Sequence, residues 1–206
     1  MSSLLTEALS LCNLAAVGIF GIVLSAAFCE IEWTRCHKLL LMGCTILMLA
    51  LQGVVSLRWG TGLARYLYPL ITHLPLWLLL AAMTRRALWP LVSVLTAYLC
   101  CQLRRWAALL VIALFPAGGT VLQDATELIV TLPILLVLIR WIAPSVRALS
   151  RSPLLLQLQF GMIPLLSYLF DYFTRIYTDL LSSGNQAAVE FMPFVCSCLL
   201  YTSPSP

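Results

Sequence analysis

Apolar stretches long enough to cross a bilayer succeed one another along this chain, and most of the basic residues between them come in pairs. The first stretch runs from Leu4 to Phe28 with Glu7 as its one charged residue. A transmembrane helix needs about 20 such residues. Further spans are read at 39–57, 67–84, 87–103, 106–123, 128–143 and 154–170, with a last one starting near Ala187. Runs this long, rich in Leu and without strict alternation, predict helices rather than barrel strands. The expected fold is all-α, a polytopic membrane bundle of seven or eight spans.

Composition narrows the function classes. Of 206 residues, 62% are apolar and 10% charged, against about 25% charged in a soluble domain. Too few charges remain to clothe a water-facing surface, which excludes soluble enzymes, nucleic-acid binders and disordered regulators. Eleven of the twelve basic residues are Arg. They fall as Arg35/Lys38, Arg58/Arg65, Arg85/Arg86, Arg104/Arg105 and Arg147/Arg151, the spacing of loop and helix-end anchors that reach for lipid phosphates. The expected partner is the lipid bilayer, with no nucleic acid.

The amino terminus lacks a basic region, so its apolar stretch reads as a retained span rather than a cleaved leader. The eight cysteines mostly lie in apolar runs, where Cys is a small hydrophobe. Prolines 69, 75, 90, 133 and 164 fall inside spans and predict kinks. Pro116–Gly119 interrupts the fifth span, and the sixth is short, so these two are candidates for a shallow hairpin. Between them, Asp124 and Glu127 read as an acidic loop, whereas the next loop carries Arg147 and Arg151. That contrast puts the basic loop in the cytoplasm and, by the parity of eight crossings, both termini with it.

Among polar features, Tyr168–Leu181 is the most structured. Asp171, Arg175 and Asp179 recur every four residues and share one helix face. Tyr168, Tyr172, Phe173 and Tyr177 supply amphipathic rings. The plain reading is an aromatic-belt helix end with a surface ion pair worth about 0.3–0.5 kcal/mol. The sharper reading is a surface that senses a ligand, with Asp171, Tyr172, Arg175 and Asp179 as its residues. His73 lies mid-span and joins these candidates as an intramembrane ionisable group, although a single interhelical hydrogen bond would also explain it. Gln52, Gln157 and Gln159 read as interhelical glue. Cys29, Glu30, Glu32, Cys36 and His37 have metal-ligating chemistry but no tight ligand spacing, and Arg35 and Lys38 repel a cation, so no metal is expected. His37 and Cys44 have the spacing of the pair in accessory-gene-regulator B peptidases, without that family's glycine context. No nucleotide-binding loop, zinc-protease helix or nucleophile elbow is present, nor a cluster of buried carboxylates such as ion-coupled transporters use.

A family likeness extends over most of the chain. Leu67–Pro75, Val94–Gln102, Ile142–Arg147, Pro164–Tyr172 and Ala188–Pro193 resemble the membrane regions of sensor histidine kinases of gut clostridia that carry a GHKL-type ATP-binding domain. The resemblance implies residues 1–197 as a sensory region for an unknown signal ligand, with homodimerisation through a kinase part that follows. It supplies no phospho-accepting His and no ATP-binding box. The last apolar run is short, and Cys198–Pro206 resembles translated adaptor sequence. Residues 198–206 are therefore expected to be a non-native tail, and the chain a truncated piece. The expected function is signal input to a two-component system in the bacterial plasma membrane, without catalysis or cofactor in this chain. A small permease is the alternative, and a membrane cysteine peptidase a further one.

Overall fold

Helix accounts for almost all of the described residues, 2–114 and 119–172, in the computed structural model. The helices are α1 (Ser2–Phe28), α2 (Arg35–Tyr68), α3 (Leu74–Thr84), α4 (Leu88–Leu114), α5 (Gly119–Val137), α6 (Ala143–Leu149) and α7 (Leu154–Tyr172). Single π-helical turns, Pro69–His73 and Leu138–Ile142, lead into α3 and α6. Among the described residues no strand occurs, and six helices are long and apolar enough to cross a membrane: Ala8–Phe28, Arg35–Gly60, Tyr66–Thr84, Leu88–Leu114, Val121–Leu149 and Leu154–Tyr172.

This corrects the expected span pattern. The stretches 87–103 and 106–123 do not form two crossings parted at Arg104-Arg105, because α4 runs unbroken through both arginines. Asp124 and Glu127 are likewise inside α5, not in a loop. The reason is tertiary: the Arg104 guanidinium finds polar partners on α1 and α5 and so has no need of the interface. The last expected span, from near Ala187, and the 198–206 tail lie outside the described residues.

Local chemistry sets the reversals. Gly60 takes φ +88°, a left-handed conformation open to glycine, and breaks the helix path within α2. Arg85 adopts φ +55° as the left-handed residue ending α3. Thr34 starts α2 by accepting a hydrogen bond from the His37 amide at 3.2 Å.

Helix α4 is the central rod, packed against α1, α3, α5 and α7. Phe20, Leu24 and Phe28 of α1, Leu76 and Leu80 of α3, and Trp89 and Val92 of α4 form the core with Ala143 and Val146 of α6. By contrast, α2 turns Leu39, Leu47, Leu51 and Leu57 outward, as a lipid-facing helix does. Gly161 marks the closest α4–α7 approach, since a Cβ there would lie 2.7 Å from Val92 Cγ2. Val92 is buried and β-branched, with little freedom to yield. Gly161→Ala should therefore cost about 1–3 kcal/mol, read as a lower melting temperature in detergent, and Val92→Ala in the same chain should recover most of it. An unchanged melting temperature in the single variant would argue against this close crossing.

One end of the bundle is tied together by an indole and by arginine side chains. Trp89 Nε1 donates to the Phe28 carbonyl at 3.1 Å, and Arg147 donates to the Ala27 carbonyl at 2.7 Å and 3.2 Å. These are carbonyls of the last turn of α1, which lack helical partners. Arg86 donates to the Ser150 carbonyl at 3.2 Å, and Arg151 pairs with Glu30. The Arg151 hydrogen bond holds the Glu30 carboxyl below its ordinary range. Arg35, Lys38 and Arg85 sit at the same end, where Glu30 and Glu32 are the acids. The chain thus reaches the Arg147/Arg151 loop after an odd number of crossings. Helix α1 starts at the opposite end, so the expected parity, with the amino terminus beside that loop, is corrected.

Candidate functional site

Among the described residues, two polar groupings lie inside the apolar bundle, and both include α4. The first joins α4 to α1 and α5. Arg104 sits sixteen residues into α4, roughly 24 Å along the helix from its start. Its side chain is 1% exposed. Nη2 donates to Asn13 Oδ1 of α1 and faces Glu127 Oε2 of α5 at 3.4 Å. The Asn13 amide in turn donates to Asp124 Oδ1 at 3.1 Å and Glu127 Oε2 at 2.8 Å. Gln123 donates to the other Glu127 oxygen at 3.4 Å.

Formally, one cation faces two carboxylates, with Asn13 as the neutral link that satisfies both. Two guanidinium donors of Arg104, Nε and Nη1, have no partner among the described residues. A charge in the bilayer interior is costly unless paired, and where it persists it commonly marks a functional path or site. This grouping of Asn13, Arg104, Asp124 and Glu127 is absent from the sequence reading, which finds no buried carboxylate cluster. The available signal was Asn13 alone in an apolar run, and an Arg and a Glu of opposite charge 23 residues apart.

The second grouping joins the end of α2 and the π-helical turn after it to α4 and α7. His73 ends the π-helical turn before α3, and its Nδ1 shares a hydrogen bond of 3.0 Å with the Tyr168 hydroxyl of α7. Three tyrosine rings meet the imidazole nearly edge-on: Tyr68 at 4.9 Å, Tyr98 at 5.3 Å and Tyr168 at 5.4 Å between centroids. Tyr98 donates its hydroxyl to Asp171, which is 5% exposed. Tyr172 stacks beside Tyr168 at 4.8 Å.

The chain matches no family model, no curated protein and no solved structure among known proteins.

Of the sequence-based candidates, His73, Asp171 and Tyr172 therefore converge, although the first is 98 residues from the second in sequence. Arg175 and Asp179 lie outside the described residues, so the expected ion-paired stripe with Asp171 is not on view. Tyr98 is the residue the sequence reading passes over, a lone phenol in an apolar run, yet it bridges His73 and Asp171. An aromatic wall with a carboxylate behind it suits cationic or hydrogen-bonding ligands.

The other sequence candidates are dispersed. Cys29 is buried, and burial pushes its thiol up to about 11. Glu30 is held by Arg151, and His37 Nδ1 faces the Glu32 carbonyl at 2.7 Å. His37 and Cys44 lie on one helix, roughly 10 Å apart along its axis. That separation does not bring imidazole to thiol as a peptidase requires.

Proposed function

We propose that this chain is the membrane-embedded sensory region of a two-component histidine kinase, and that the His73–Tyr98–Tyr168–Asp171 network is its sensing element. The observation that carries the reading is that the π-helical turn before α3 meets α4 and α7 through a polar network. A signal that binds one packing of these helices more tightly than another shifts the population between them. The sequence likeness to kinase sensory regions supports the same assignment. Catalysis and cofactors then belong to a kinase part, through which the protein homodimerises, and this chain neither binds ATP nor transfers phosphate.

The basic end, with Arg35, Lys38, Arg85, Arg86, Arg147 and Arg151, belongs in the cytoplasm of a bacterial cell by the positive-inside rule. Helix α7 then ends on the outer side. Sequencing of the genomic locus tests this reading, which expects a GHKL-type domain to be encoded in the same reading frame. A locus that encodes no such domain in frame would overturn the proposal.

A permease remains the second reading, favoured by the two π-helical turns and the buried Arg104–Glu127 pair. Proteoliposomes holding the purified chain separate the two: solute accumulation supports the permease, and its absence the sensor.

A further inference from the structure

Between α1 and α2 a groove of about 240 Å³ opens toward the bundle's outer face near the basic end. Its walls are apolar, with Ile19 and Val23 on α1 facing Leu41 and Ile46 on α2. Trp33 and Lys38 line it at the level of the α1–α2 connection. From Lys38 to Ile46 the groove follows α2 for roughly 12 Å, the direction in which an acyl chain descends from its headgroup. Trp33 stands where amphipathic rings meet the headgroups. The Lys38 ammonium has no hydrogen-bonding or ionic partner among the described residues, no carboxylate lines the groove, and Glu30 is turned to Arg151. Arg35 adds a second positive charge one turn earlier.

We propose that this groove is a binding site for an anionic glycerophospholipid, its acyl chain laid between α1 and α2 and its phosphate held by Lys38. The assignment rests on charge complementarity at the mouth combined with an apolar trough behind it, and stands independently of the sensory reading. A zwitterionic lipid fits the trough equally well but gains less from Lys38, because its own cation offsets the phosphate. A single Lys near the membrane surface is worth roughly a fivefold preference for an anionic lipid.

Native mass spectrometry of the full chain tests this with phosphatidylglycerol and phosphatidylcholine of matched acyl chains. Phosphatidylglycerol should be retained roughly fivefold more tightly, and Lys38→Gln should bring it to the phosphatidylcholine level. Ile46→Trp, which fills the trough from an exposed position, should weaken both lipids. Equal retention of the two lipids by the unaltered chain, or no change in Lys38→Gln, would overturn the proposal. Displacement of phosphatidylglycerol by an equal concentration of glycerol 3-phosphate would also overturn it, because the headgroup alone would then account for binding.

Discussion

Glu127→Leu is expected to be the most damaging single change in the bundle, costing about 3–5 kcal/mol. The carboxylate lies 3.4 Å from an Arg104 side chain that is 1% exposed, and it accepts from Asn13 as well. Its removal takes away the carboxylate that pairs directly with a buried guanidinium and leaves Asp124, joined to Arg104 only through Asn13, as the nearest negative charge of the grouping; breaking such a pair is far costlier than never having had it. For a chain of this size such a loss lowers the melting temperature by an amount on the order of 10 °C, readable by scanning fluorimetry in detergent. Glu127→Gln keeps an acceptor but not the charge and should fall between the two. Adding Arg104→Met to Glu127→Leu should restore much of the loss, because the stranded cation goes too. Asp124 would keep its Asn13 donor throughout. A Glu127→Leu protein within about 0.5 kcal/mol of its parent, the range of an ordinary surface change, would mean that the pair does not form.

The second large effect belongs to Tyr98→Phe. The ring, and with it the packing against His73 and Tyr168, is retained. What goes is the hydroxyl donated to the Asp171 carboxylate. Hydrogen bonds to charged groups contribute about 1.5–3 kcal/mol. An element poised between two packings would shift its ratio by roughly ten- to a hundredfold on that loss. Backbone hydrogen exchange along the last turns of α7 reads the change directly, because local opening sets the rate there. Protection should drop by a similar factor in Tyr98→Phe. Unaltered protection would show that the phenol does not secure α7, and would remove the network as a sensing element.

The helical character of the chain was plain in its amino acids, and so were particular boundaries. The stop at Phe28, the Arg85 turn and the fresh start at Leu154 follow from where apolar runs meet charged or proline residues. Arg104 and Arg105 misled for a physical reason: an arginine pair between Leu-rich runs is normally an interface anchor. Its burial here depends on Asn13, 91 residues away, and on Glu127. No local pattern encodes that meeting. The same holds for the second grouping: His73 stood out alone, and Asp171 only as part of a stripe with Arg175 and Asp179. What joins them is Tyr98, whose surroundings in the sequence are apolar on both sides. Polar residues announce themselves in such a chain, but their pairing is a property of helix packing.

The placement of Arg104 also bears on how the protein is made. Its counter-charge is 23 residues downstream on the next helix, so α4 and α5 can enter the translocon as a hairpin with the two charges already matched. Asn13 has no such neighbour: α1 is synthesised first, and its amide and final carbonyls find their partners on helices made some sixty to one hundred and twenty residues later. The polar contacts of α1 with α4 and α5 can therefore be completed only after the α4–α5 hairpin has been made.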